Sequence, residues 1–191
     1  TYTVTWGAFM LERDWAFLEV AAGGLEEYLQ SSILYYPLGN TRKAQGLLQL
    51  TLGNLLVTTT RLMAANWDET EKLALNDLLE RIEAIRKRWR AGWDKKAEQE
   101  IPARLNLWQN SLKEWADTHE HTLAGYRHQV RWRVILHLLL TDTGSRYHEE
   151  SILAGLDSRL RMISTPGDFL WEPEIEQGFS RQTYWYLYLK V

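Results

Sequence analysis

The stretch from Ile101 to Leu140 constrains the fold of this chain more than any other. Apolar residues recur at Ile101, Leu105, Trp108, Leu112 and Trp115, then at Leu123, Tyr126, Val130 and Val134, with His137 in register. These steps of three, four, seven or eight keep one face of an α-helix turned inward. Pro102 stands where the first turn would be, a position that tolerates a missing N–H. The spacing therefore predicts a helix over 102–140, closed by the turn Thr141-Asp142-Thr143-Gly144. Beyond Val130 the pattern widens: Trp132, Ile135, Leu136 and Leu139 lie away from the seam, so the last third is apolar nearly all round. A helix of that kind is buried on both sides. The expected cover is the first helix on one side and Trp171 with Tyr184 to Leu189 on the other.

Such a seam requires other amphipathic helices to close it, and the chain supplies them. Leu11, Trp15, Leu18, Ala22, Leu25 and Leu29 trace a helix over 10–32. Gly23-Gly24 inside it costs about 1 kcal/mol per glycine relative to alanine, which predicts a kink or a close crossing. Pro37 and Gly39 end it. Thr41 is read as the N-cap of a helix over 41–66, with Leu48, Leu52, Leu55 and Leu62 on its buried side. Asp68 with Glu71 has capping-box spacing for a helix over 68–100, carrying Leu75, Ile82, Trp89 and Trp93 inward. The turn to Ile101 is then so short that these two long helices should form an antiparallel hairpin. Ser145 is read as the cap of a shorter helix over 146–163. The remainder, 164–191, holds Pro166, Gly167, Pro173 and Gly178 and ends in a run too apolar to stay in water. Thr1 to Trp6 has the content of a short strand or extended arm. The expected architecture is all-α: one helical domain over 1–191, an antiparallel bundle of four main helices plus a shorter fifth, with an irregular aromatic C-terminal tail packed across it.

Length sets a conflict inside this plan. At about 1.5 Å per residue the third helix would reach ~50 Å and the fourth ~60 Å. A compact domain of this size is only ~42 Å across. Either the fourth helix breaks near 118–125, around Thr118-His119-Glu120-His121-Thr122 and Gly125, or the hairpin projects beyond the bundle.

Composition narrows the function classes. A formal charge of -3 on 191 residues makes the chain neither a nucleic-acid binder by bulk charge nor an acidic tail. Without cysteine it has no disulfide, thiolate nucleophile or cysteine-ligated zinc. No apolar run is long enough for a membrane span, and the default location is cytoplasmic. The histidines His119, His121, His128, His137 and His148 do not converge on one helix face, and neither Glu-x-x-His nor His-x-x-x-His pairs occur. No metal or cofactor is expected. Nucleotide and serine-hydrolase signatures are absent, so an enzymatic activity is neither assigned nor excluded. Arg86 to Lys96 is the one basic and aromatic cluster. Its i, i+4 partners Asp77 with Arg81, Glu83 with Lys87, and Lys96 with Glu100 favour a solvated charged face over weak nucleic-acid binding. The ten tryptophans mostly fall on buried stripes and read as core anchors.

The remaining candidate site is Arg131, Trp132, Arg133 and His137, polar groups set in the driest part of the fold. Buried charges are paired, so Arg133 is expected to meet a tail carboxylate, with a ligand pocket between the fourth helix and the tail as the alternative. The leading expectation is a non-catalytic interaction or scaffold module, engaging a protein partner or itself through the projecting hairpin. The alternatives are a small-molecule binder or enzyme at Arg133 and His137, and a nucleic-acid binder at Arg86 to Lys96.

Overall fold

The computed structural model describes residues 6–117, 123–144 and 146–190. Six α-helices run in order: α1 (Trp6–Gln30), α2 (Leu52–Ala64), α3 (Glu69–Arg88), α4 (Arg90–Asp117), α5 (Leu123–Thr143) and α6 (Tyr147–Ile163). The fold is all-α, apart from a two-residue antiparallel pairing of β1 (Thr165–Pro166) with β2 (Leu189–Lys190) that closes the tail into a loop. α5 lies along α4 and α2, α1 covers α2 and α3, and α6 rests on α4. Val134, Ile135 and Leu136 are consecutive and wholly buried, so this part of α5 is enclosed on all sides as its composition demands. Its cover differs from expectation, because α2 and α4, rather than α1, occupy the side away from the tail.

Two helix boundaries move. The segment after Thr41 starts a helical turn, with Thr41 O accepting from the N–H groups of Ala44 and Gln45. It stops at Gly46, whose φ of 73° lies in the left-handed region that favours glycine. Leu50 instead bridges back to Tyr36 through two backbone hydrogen bonds of 3.0 and 2.8 Å, and α2 begins only after Thr51, whose hydroxyl accepts from Asn54 N–H at 3.0 Å. The predicted hairpin at residue 101 is also absent. α3 ends with Trp89 as its C-cap, and α4 runs through Pro102 without interruption. A proline inside a helix costs about 3 kcal/mol, but Trp93, Ala97, Ile101, Leu105, Trp108 and Leu112 form one buried stripe across it. Burying each large side chain is worth about 1.5–3 kcal/mol, so the stripe carries the helix over the proline. The expected break at 118–125 and the Thr1 to Trp6 strand fall largely on residues 118–122 and 1–5, outside the described residues; Trp6 itself opens α1.

α1 runs without interruption through Gly23 and Gly24, and nothing approaches within 4 Å of where their Cβ atoms would stand. The close crossing is at Gly92, where the start of α4 meets the backbone of Leu29. The Asp68 capping box is formed, with Glu71 N–H donating to Asp68 Oδ1 at 2.8 Å and Asp68 N–H to Glu71 Oε2 at 3.0 Å. Ser145 lies outside the described residues, and the N-cap of α6 is Arg146. The tail folds as short 3-10 turns at Pro173–Gly178 and Trp185–Leu187 around buried Ile175, Phe179, Tyr186 and Leu187. It docks on α5 through Tyr126 Oη, which donates to Tyr186 O at 2.6 Å.

A test of this packing is a pair of glycine substitutions. A Cβ on Gly53 would collide with Ile135 and the Glu100 carboxylate, whereas one on Gly155 meets nothing. Gly53→Ala is expected to cost about 1–3 kcal/mol in urea unfolding, and Gly155→Ala to add about 0.5–1 kcal/mol.

Candidate functional site

Two charged residues interrupt apolar stripes and meet in the interior. Asp14 sits between Leu11 and Leu18 on α1, and Arg61 stands beside Leu62 on the buried side of α2. Arg61 Nε donates to Asp14 Oδ2 at 2.7 Å, and its Nη2 pairs with Glu172 Oε2 of the tail at 2.8 Å. Its guanidinium also lies over the Trp171 ring, 5.2 Å from the centroid. Burial opposes the charge on Arg61, but Asp14 and Glu172 more than restore it. Burial likewise works against ionised Glu172, yet Arg61 and then Arg127 win and hold it below the usual carboxylate range. Arg127 Nη2 reaches Glu172 Oε1 at 3.2 Å.

Beside this network lies a cavity of about 210 Å³ between α5 and the tail, lined by Met10, Arg61, Ala124, Arg127, His128, Arg131, Trp171 and Glu172. Arg127, His128 and Arg131 share one side of α5 through i, i+1 and i+4 spacing. Arg131 differs from Arg127 in having no hydrogen-bond or ion-pair partner among the described residues. Its Nε and Nη2 are enclosed without a hydrogen-bond acceptor, which leaves Nη1 as its nitrogen open to the cavity. Burial pushes its pKa down to about 10, with Asp14 opposing the shift.

The four residues singled out from the sequence thus divide between two places. Arg131 lines the α5–tail cavity, and Trp132 packs half-buried against the core. Arg133 and His137 line a different cavity, of about 280 Å³, with Glu150 and Asp157 of α6. The partner of Arg133 is not a tail carboxylate: its Nε and Nη2 donate to Asp157 Oδ1 and Oδ2, both at 2.8 Å. The α6 helix reaches this point first, and the tail contributes the Tyr186 ring, 4.2 Å from the guanidinium. His137 meets Tyr184 edge-on at 5.0 Å, and burial, followed by Arg133, lowers its pKa. The expected ion pair of Lys96 with Glu100 is also replaced. Lys96 Nζ donates to Ser31 O and Ile33 O at the end of α1, at 2.9 and 2.5 Å, and Glu100 accepts from Arg104.

The basic cluster is spent on neighbours. Arg86 pairs with Asp142 at 2.8 Å, Arg90 with Asp94 at 3.0 Å, Lys87 with Glu83 at 3.8 Å and Arg88 with Glu26 at 3.7 Å. None of these carboxylates comes from the tail. Among the described residues no three His, Asp or Glu side chains converge in a metal-holding group, and His119 and His121 lie outside them. No helix among the described residues is long and apolar enough to cross a membrane. Trp93, Trp108 and Trp171 are buried, and Trp15, Trp67, Trp89, Trp115, Trp132 and Trp185 pack half-buried against the core.

These features define an all-α protein with an unbalanced arginine beside a cavity that its own C-terminal segment completes. No known protein family, curated protein or solved structure matches the chain.

Acid should loosen the tail. Glu172 titrates below its ordinary value of 4.5 in the folded state, so its contribution is complete above that pH and lost as pH falls through the lowered folded value. In urea unfolding followed by tryptophan fluorescence, Glu172→Gln should flatten the decline in stability below about pH 4.5. At the second cavity, Asp157→Ala strands Arg133 and is expected to cost about 3–5 kcal/mol.

Proposed function

We propose that this protein is a binder of small anions, with its site in the cavity between α5 and the tail. The observation that carries this reading is the unpaired guanidinium of Arg131. Arg131 is half-buried, and a charge partly withdrawn from water without a partner is destabilising, whereas the fully buried arginines Arg61, Arg104 and Arg133 all have a carboxylate. A bound anion would supply what the chain withholds from Arg131. The cavity is smaller than the ~300–1,000 Å³ of drug-sized ligand sites, which suits a compact ligand. No catalytic step is assigned to it.

A protein-interaction role keeps support from a different element. The projecting hairpin is not its basis, because α3 ends at Trp89. What remains is α3, which buries only Leu75 and Ile82 and leaves Leu73 66% exposed. Contact with a protein partner or a second copy through that outer face is the second reading, and sedimentation of wild type against Leu73→Glu would test it. A shift from a larger species to monomer supports it, and a wild-type monomer at all concentrations counts against self-association.

The anion reading makes a prediction about stability as well as binding. In a low-chloride zwitterionic buffer, Arg131→Met should unfold at or above the wild-type temperature, because it removes a half-buried charge that has no partner among the described residues. Added small anions should raise the wild-type Tm and leave the variant unmoved. A destabilised variant that still responds to anions would sink the proposal.

A further inference from the structure

Which anion the cavity takes is decided by its charge count and by Glu172. Arg61, Arg127 and Arg131 face Asp14 and Glu172, so the surrounding groups are one negative charge short of balance. Glu172 lines the same cavity and is buried, and Arg61 and Arg127 keep it ionised. A ligand bearing a second negative charge would be pressed against that carboxylate, and like charges at close range inside a protein repel far more than in water. The rest of the wall is Met10, Ala124, His128 and the Trp171 ring, a largely apolar and aromatic surface that favours an organic body over a small inorganic oxyanion. Arg133, two residues further along α5, shows what satisfies a guanidinium in this setting, since it holds both oxygens of one carboxylate at 2.8 Å. Arg131 has its Nε and Nη2 enclosed and offers the cavity Nη1, where a ligand carboxylate would supply the missing acceptor.

We infer that the ligand of this cavity is a singly charged organic carboxylate, its carboxyl group accepting from Arg131 Nη1 and its apolar part lying against Met10, Ala124 and Trp171. The inference rests on the anion-binding reading above and adds selectivity to it. A dicarboxylate, sulfate or the phosphate dianion fits the cation but not Glu172. Binding places the missing negative charge beside Arg131 and leaves the Arg61–Glu172 contact that docks the tail in place.

The test is a set of calorimetric titrations of the full chain at pH 7.5 with propionate and benzoate, their dicarboxylate counterparts malonate and phthalate, and phosphate and sulfate. The expected result is that a monocarboxylate binds at least about ten-fold more tightly than its dicarboxylate counterpart or either inorganic anion, about 1.4 kcal/mol. Arg131→Met should abolish that binding, and Arg131→Lys, which keeps the charge, should weaken it without abolishing it. Glu172→Gln, which still offers oxygen and nitrogen to its neighbours, should narrow the gap by strengthening dianion binding. Equal or tighter binding of phosphate, sulfate or the dicarboxylates that still depends on Arg131 overturns the carboxylate assignment and leaves the anion site standing. Absence of binding by every anion overturns both, as does binding that neither Arg131 variant alters. Circular dichroism of each variant separates loss of binding from loss of fold.

Discussion

The first turn of α2 ends on a carboxylate that has no access to water. Glu100 of α4 accepts from Gly53 N–H at 2.8 Å, while Arg104, one turn further along α4, donates to Glu100 at 2.9 Å and to the capping hydroxyl of Thr51 at 3.2 Å. The first N–H groups of a helix have no partner of their own and carry the positive end of its dipole, so a buried carboxylate can be accommodated there when a cation completes the set. Everything else about α2 depends on this seat. It brings α4 close enough for Ile135 of α5 to pack where a Cβ on Gly53 would stand, and so fixes the α2, α4 and α5 layer at the centre of the fold.

The other end of α2 is closed by the tail. Gln177 donates to Ala64 O at 2.6 Å, and Gly178 packs directly on Ala64. Glu172 completes the charge of Arg61, which Asp14 of α1 has already half satisfied. One contact therefore docks the tail and builds a wall of the anion cavity. The cavity exists only in the assembled molecule: α5 supplies its cations, α2 the central arginine, and the tail its carboxylate and its aromatic wall.

Parts of this were legible in the residues themselves. The enclosed end of α5 follows from Val134, Ile135, Leu136 and Leu139, and the capping box follows from Asp68 and Glu71, because both depend on spacing along one helix. Asp14 and Arg61 are not among the residues singled out from the sequence; their signal is a charge at an apolar position of each stripe, and neither stripe says where the other charge would be. Thr41 misled because threonine caps helices well, and only the left-handed backbone at Gly46 and the Tyr36 to Leu50 bridge divert the chain. Pro102 misled because its preference for a first turn is a local rule, which the buried stripe from Trp93 to Leu112 overrides.

Periodicity alone determined that this chain is all-α, which face of each helix turns inward, and that an aromatic tail must cover α5. Those features need only the 3.6-residue repeat and the cost of leaving apolar surface in water. Tertiary structure decided which charges meet. Arg131 and Arg133 have the same chemistry and lie two residues apart, yet α6 brings Asp157 to one and nothing among the described residues pairs a carboxylate with the other. Pairing across helices depends on distances that no single stretch of sequence encodes, so the unpartnered arginine, and the ligand it calls for, emerge only when the chain is folded.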